Sequence, residues 1–232
     1  MTAVIFDCDG TLVDSEPLAR AAWERSLAPY GYTVTDADLD GAVGLPFAAV
    51  HRRFAERVAL PDAKGFWRAY SRELFELIAG GLVAFDDAVQ AAAELRARGV
   101  PVAVASSSPR ERLARTLAHV GLADAFDVTV AGDEVARGKP APDLFLAAAA
   151  RLGVEPAACV VVEDSPPGVA AGRAAGMATV AVCRAPGHQR SLAEADRVVQ
   201  ALSAEAILAV ADEAAARGRI AAAHARAGAR RR

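Results

Sequence analysis

Two aspartates two residues apart, Asp7 and Asp9, close the apolar run Ala3-Val4-Ile5-Phe6 in the stretch AVIFDCDGT. Two further apolar runs end in the same manner. Val102-Ala103-Val104-Ala105 leads into Ser106, Ser107 and Ser108, and Val160-Val161-Val162 leads into Glu163 and Asp164. Carboxylates gathered at one point repel one another and require a cation, and an all-oxygen set without histidine or cysteine suits Mg2+. Lys139, in the segment Gly138-Lys139-Pro140-Ala141-Pro142-Asp143, offers a second positive charge. A divalent cation, a lysine, a serine hydroxyl and an aspartate together make a site for a phosphoryl group.

These residues act together only if the chain brings the ends of several strands to one edge. Short Val- and Ala-rich runs predict strands at Ala3–Asp7, Pro101–Ser106, Asp127–Ala131, Cys159–Glu163 and Ala178–Val182, with Arg197–Val199 a weaker sixth. Helical spacing falls between them at about 86–98, 109–119, 142–152, 166–175 and 203–216. Strand and helix in alternation mean an α/β fold with a parallel sheet covered on both faces. In such a sheet ligands bind at the carboxyl ends of the strands, where Asp7, Ser106 and Asp164 stand. Ser165 before Pro166 is placed to open a helix, and Gly99 and Gly153 to close two. Residues 17–79 interrupt the alternation with amphipathic helical patterns, including Leu18–Tyr30, Phe47–Ala59 and Ala63–Ile78. They exceed what a crossover needs and predict a helical insertion domain, with Gly80-Gly81 as its closing loop and hinge.

At 232 residues and 53% hydrophobic composition the chain suits one large domain, or a core with a smaller insertion. Residues 2–6 are too short a run for a signal peptide, and no apolar stretch reaches the eighteen residues of a membrane span, so a cytoplasmic protein without a membrane partner is expected. Cys8, Cys159 and Cys183 form no close pair and read as reduced core thiols; Cys8 falls on the opposite strand face from the aspartates. The net charge of −3 hides an asymmetry. Residues 217–232 hold six arginines and no acid, leaving twenty basic against 29 acidic residues elsewhere. Such a tail suits an acidic surface or a solvated chain end, and the lack of aromatic stacking partners and nucleic-acid motifs favours the second. No nucleic-acid partner is expected.

The segments DCDGT, the run ending at Ser106, GKPAPD and VVVEDSPPGVAAGRAAGM resemble, in order, the four motifs of the haloacid dehalogenase-like hydrolases. The helical insertion resembles the small cap of that superfamily's beta-phosphoglucomutase-like phosphatase branch. The resemblance spans most of the chain and implies a Rossmann-like core of residues 1–16 and 82–216 and a helical cap of residues 17–81, while the arginine excess sets residues 217–232 apart as a basic, flexible tail. It makes Asp7 the nucleophile and Asp9 the acid that protonates the leaving oxygen and then the base for water. Asp7, Asp164 and the Asp9 carbonyl would ligate Mg2+, with Glu163 beside them as a ligand through water or an orienting group. Ser106, Ser107 and Lys139 would bind the phosphoryl oxygens. The branch is often monomeric, so a monomer or weak homodimer is expected.

The implied activity is Mg2+-dependent hydrolysis of a small phosphorylated metabolite, a sugar phosphate or similar, through an aspartyl phosphate. Taken singly, Asp7 and Asp9 could cap a turn, Ser106 could cap the next helix, and Lys139 could be an ordinary loop lysine. Those readings give no reason for all of them to meet at one sheet edge. Dehalogenases of the superfamily lack the second aspartate, present here as Asp9. Phosphonate hydrolysis needs a cap lysine, and the cap's Lys64 reads as a helix start. A phosphomutase would use the same aspartates but needs basic cap residues. This chain has Ala19 where a mutase-like histidine would fall, and Val43 and Phe47 around Gly44. A non-catalytic binding protein would have lost part of the site. The segment Gly41–Phe47 is the expected specificity loop, while His51, Arg52, Arg53 and Arg68 suit surface charge on cap helices better than substrate contact.

Overall fold

The computed structural model describes residues 1–40, 47–184 and 188–229. In chain order its strands are β1 (Ala3–Phe6), β2 (Val13–Asp14), β3 (Val83–Ala84), β4 (Val102–Ala105), β5 (Val128–Val130), β6 (Cys159–Glu163), β7 (Ala178–Val182) and β8 (Arg197–Val199). The helices are α1 (Glu16–Leu27), α2 (Asp36–Asp40), α3 (Phe47–Ala55), α4 (Ala63–Gly81), α5 (Asp86–Ala97), α6 (Arg110–His119), α7 (Asp143–Leu152), α8 (Pro166–Ala174) and α9 (Ala204–Ala229). Six strands form one sheet in the order β5-β4-β1-β6-β7-β8, and every neighbouring pair is parallel. β1 therefore lies between β4 and β6, with Phe6 in register with Val104 on one side and Val162 on the other. That register carries Asp7, Ser106 and Glu163 to a common edge.

Alternation along β1 divides the core. Val4, Phe6 and Cys8 face one layer with Val102, Val104, Val160 and Val162, while Ala3 and Ile5 face the other with Leu144, Phe145 and Ala148 of α7. Both faces are dry because helices cover both, which is why these strands read as unbroken apolar runs. Each large side chain removed from water there contributes roughly 1.5–3 kcal/mol. The cysteines are free thiols, with Cys8 and Cys159 buried in opposite layers.

The helical insertion has a core of its own, continuous with the first layer. Trp23 of α1 packs against Phe47, Phe54, Phe66 and Tyr70, with ring centroids 5.6, 5.2, 5.9 and 4.5 Å away. Phe66, Tyr70, Leu74 and Ile78, four residues apart, form the buried stripe of α4. Asp62 starts that helix by accepting from the Gly65 N–H at 2.7 Å, and Lys64 lies in its first turn. Beyond the sheet, the insertion's entrance and exit are tied by a ribbon in which Val13 pairs with Ala84 and Asp14 with Val83. Gly80 and Gly81, read from sequence as a closing loop, are instead the last residues of α4. The Ile78 carbonyl accepts from the Leu82 N–H at 3.2 Å, so the helix runs through both glycines before the ribbon begins.

Candidate active site

Asp7 leaves β1 with its N–H still donating to the Val162 carbonyl at 2.8 Å, so sheet pairing fixes its backbone. Its carboxylate receives the Lys139 ammonium, which also donates to Glu163 Oε1 at 2.6 Å. All three side chains are buried. Glu163 is held from its other oxygen, where Oε2 accepts from the Asp164 N–H at 2.9 Å, the Ser165 N–H at 2.9 Å and the Ser165 hydroxyl at 2.8 Å. The Ser165 hydroxyl also caps α8, accepting from the Gly168 N–H at 3.2 Å. Gly168 leaves room for this arrangement, since a Cβ there would sit 1.7 Å from Glu163 Oε1.

Asp164 accepts from the Thr11 hydroxyl at 3.2 Å. Gly10, at φ +83°, turns the chain beneath it, and a Cβ at that position would lie 2.0 Å from Asp164 Oδ2. Oxygens of Asp7, Glu163 and Asp164 lie within 4.8 Å of one another. Three carboxylates face one ammonium, and the imbalance appears in their proton affinities. Burial drives the Asp7 carboxyl up; Lys139 opposes it, Glu163 and Asp9 reinforce it, and the result is a pKa of about 7. Burial, Glu163 and Asp7 push Asp164 well above the usual carboxylate range. Burial disfavours the Lys139 cation, but Asp7 and Glu163 outweigh it and hold the ammonium charged. This donor set fits a hard divalent cation: it is all oxygen, compact, and short of positive charge.

Asp9 has a different environment. Its Oδ1 accepts from the Ser15 hydroxyl at 2.6 Å and from an Arg112 guanidinium nitrogen at 2.8 Å, and its Oδ2 accepts from the Ser108 hydroxyl at 2.8 Å and Ser106 Oγ at 3.5 Å. Burial alone would raise its pKa, but Arg112 and the hydrogen bonds from Ser15 and Ser108 prevail and lower it. Two neighbouring carboxyls thus have proton affinities moved in opposite directions. Ser15 precedes α1 yet makes no cap bond to its own helix, its hydroxyl being directed to Asp9.

Of the residues singled out from sequence, Asp7, Asp9, Ser106, Lys139, Glu163 and Asp164 meet at this edge. Ser106 Oγ accepts from the Ser108 N–H at 3.0 Å, bending the loop after β4. Ser107 is exposed, and its hydroxyl has no hydrogen-bond partner among the described residues. Asp143 braces the loop that carries Lys139, taking Arg137 in two contacts at 3.1 and 2.9 Å. His51 departs from expectation: it is buried in the insertion, with Nε2 2.9 Å from the Pro61 carbonyl, and is not surface charge. Gly41–Pro46 of the expected specificity loop lie outside the described residues. Sequence reasoning missed Thr11, Ser15, Ser108 and Arg112. Ser108 was signalled by the serine run, but nothing in the sequence marked Arg112, 103 positions from its partner.

A parallel sheet with this edge and a helical insertion after its first strand defines the class. The chain belongs to the haloacid dehalogenase-like hydrolases, whose sequence model matches residues 1–176. It is 37% identical over 185 residues to the fructose-1-phosphate phosphatase YqaB of Escherichia coli (strain K12), covering 77% of this chain and 95% of that protein. It is 34% identical over 202 residues to a bifunctional riboflavin kinase/FMN phosphatase of Arabidopsis thaliana, covering 87% of this chain but 53% of that protein, so it spans about half of that relative's length. Among solved structures, CbbY from Rhodobacter sphaeroides in complex with phosphate superposes with a TM-score of 0.82 at 26% identity, over 91% of this chain and 99% of the other. No helix among the described residues is long and apolar enough to cross a membrane.

Proposed function

We propose that this chain hydrolyses the phosphate monoester of a small phosphorylated metabolite, a sugar phosphate or similar, through an aspartyl phosphate on Asp7. The observation that carries the reading is the Asp7 carboxylate held against Lys139, with Glu163 and Asp164 oxygens within 4.8 Å, at the carboxyl edge of β1 and β6. The relatives named as phosphatases support it. In this account residues 1–16 and 82–216 are the catalytic core and residues 17–81 the cap that covers it.

An Asp7 oxygen attacks phosphorus, the bond from phosphorus to the leaving oxygen breaks, and Asp9 supplies the proton that oxygen needs. Water then attacks the aspartyl phosphate, Asp9 takes its proton, and inorganic phosphate leaves with Asp7 restored. Asp9 is a carboxylate with both oxygens occupied by donors that lower its proton affinity, so it takes a proton from water only once a donor gives way. Its acid role requires those donors to turn to the substrate. Lys139 and Ser106 hold phosphoryl oxygens, with Ser107 at the open side of the loop. Asp7, Asp164 and the Asp9 backbone carbonyl would hold Mg2+, which when bound neutralises the carboxylates and the charge on the transferred group. Glu163, with both oxygens engaged, acts on the site by fixing Lys139 and the turn into α8. Phosphate release from p-nitrophenyl phosphate and a panel of phosphorylated metabolites, with Mg2+ and with chelator, tests the proposal. Release that needs the metal is expected, and full activity after exhaustive chelation contradicts it.

A further inference from the structure

Arg184 lies two residues beyond β7, and its guanidinium is engaged on three sides. One terminal nitrogen donates to both oxygens of Asp87, at 2.9 and 2.8 Å, and the other donates to the Thr11 carbonyl at 3.0 Å. Its Cζ lies over the Phe85 ring, 3.9 Å from the centroid, where a cation is attracted by the aromatic face. Asp87 is itself tied to the sheet domain, because its Oδ2 also accepts from the Leu202 N–H at 2.7 Å, just before α9. Arg184 therefore reaches from a fixed anchor to the turn after β1. The two ends of the insertion meet at the same place, with the Phe85 N–H donating to the Leu12 carbonyl at 2.9 Å. Only a planar fork can meet a carboxylate and a carbonyl along its edges while its face lies on a ring, so lysine cannot replace arginine here.

The Thr11 carbonyl matters because of what the Thr11 hydroxyl does. Thr11 is fully buried, and its hydroxyl donates to Asp164 Oδ1 at 3.2 Å. Other groups of this turn bond among themselves: the Leu12 and Val13 N–H groups donate to the Cys8 carbonyl at 2.9 and 3.1 Å, and the Gly10 N–H to the Val13 carbonyl at 2.8 Å. The Thr11 carbonyl has no donor within the turn, and among the described residues its donor is Arg184. A buried carbonyl without a donor is costly, so loss of Arg184 shifts the turn until the carbonyl finds another, and the hydroxyl moves with it. The turn also passes so close to Asp164 that Gly10 has no room for a Cβ beside that carboxylate. A small displacement is felt there directly.

We propose that Arg184 is a positioning residue for the phosphoryl-transfer site: through the Thr11 carbonyl it sets the Thr11 hydroxyl, and through that hydroxyl the Asp164 carboxylate that would hold Mg2+. The inference rests on the reading of Asp164 as a metal ligand. Groups that hydrogen-bond a ligating side chain typically change metal affinity about 10–100-fold when removed. Arg184 stands one step further out than Thr11, so its effect is the smaller of the two and passes through the larger.

Titration of the substrate-free protein with Mn2+, followed by electron paramagnetic resonance and competed with Mg2+, tests this apart from turnover. Thr11→Val, which removes the hydrogen bond to Asp164, is expected to weaken metal binding about tenfold, and Arg184→Lys, which keeps the charge and loses the fork, about fivefold. In the Thr11→Val background Arg184→Lys should change affinity by less than about twofold, because the path through the hydroxyl is already broken. A residue that merely supported the fold would give the same loss in both backgrounds. Asp87→Asn, which loosens the other anchor of the guanidinium, should weaken binding in the same direction, and it carries the comparison if the lysine variant does not fold. Affinities within about twofold of the unsubstituted protein, or equal losses with and without the Thr11 hydroxyl, overturn the assignment. Metal-dependent phosphate release with affinity unchanged in these variants would sink the role of Arg184 and leave the phosphatase reading standing. Metal binding that depends on Arg184 in a protein that releases no phosphate would do the reverse, and a protein that takes up no metal contradicts both.

Discussion

Asp7 and Asp164 carry more negative charge than Lys139 alone balances, while Glu163 has both oxygens already engaged. Asp164, Lys139 and Glu163 should therefore respond differently to substitution. Asp164→Ala is expected to weaken Mg2+ binding, so that excess metal restores part of the rate. Lys139→Ala and Glu163→Gln should lower turnover without responding to added metal, because they disturb phosphoryl contacts and lysine placement. Equal rescue of all three in a metal titration would count against the division. The same surplus charge makes a pH prediction. Asp7 has an ordinary pKa of 3.8 and about 7 in the folded protein, so between those values the folded state holds a proton that the unfolded chain has released. Stability of the metal-free protein must then fall as pH rises across that interval. The lowered pKa of Asp9 contributes below it and does not offset the trend. Melting temperatures in chelator should be lower at pH 8 than at pH 5, Asp7→Asn should shrink the difference, and Mg2+ should raise the pH 8 value. A flat or rising profile in chelator contradicts the electrostatic description.

At the level of elements, the turn from β6 into α8 is as constrained as the strands. Gly168→Ala would place a Cβ 1.7 Å from Glu163 Oε1, and Glu163 cannot retreat without releasing Lys139. Overpacking of this kind costs typically about 1–3 kcal/mol, and here a loss of turnover should accompany the loss in melting temperature. Unchanged stability and rate would mean that the turn is softer than described. The sheet was legible in the sequence because strands buried on both faces leave unbroken runs such as Val160-Val161-Val162, and all six predicted strands are present. Asp7, Asp9 and Asp164 were legible because polar residues at the ends of such runs have few other places to go, and Lys139 because its loop segment GKPAPD resembles a family motif. The two-residue ribbon β2–β3 left no readable pattern, and α2, five residues of which three are aspartates, carries no apolar stripe. Helix α9, expected to end near 216, continues to Ala229, as its alanine-rich sequence permits. Arg112 was invisible because an ion pair across 103 residues is made by the packing of α6 against the loop after β1, not by local spacing.

For the whole molecule, the alternative to hydrolysis is return of the phosphoryl group to a sugar. The helical insertion offers more positive charge than its sequence suggested, since Arg68 and Arg72 of α4 both line a cleft of 570 Å3 against α6. A mutase must nevertheless keep water away while a bisphosphate reorients, and here Arg68, Arg72 and Arg115 are exposed at the cleft. Incubation with glucose 1-phosphate and glucose 1,6-bisphosphate should therefore yield free phosphate in excess of glucose 6-phosphate. Fast isomerisation with little phosphate would replace the phosphatase reading with a mutase. Both reactions require phosphoryl transfer to Asp7, and that step can be trapped. p-Nitrophenyl phosphate has a leaving group that needs little protonation, so hydrolysis of the aspartyl phosphate should become the slow step and the intermediate should accumulate. Rapid quenching during turnover, borohydride reduction and peptide mass analysis should then find homoserine in place of aspartate at position 7, and only when substrate and Mg2+ are both present. Undiminished phosphate release with no homoserine at that position, or with an active Asp7→Asn variant, would contradict the account.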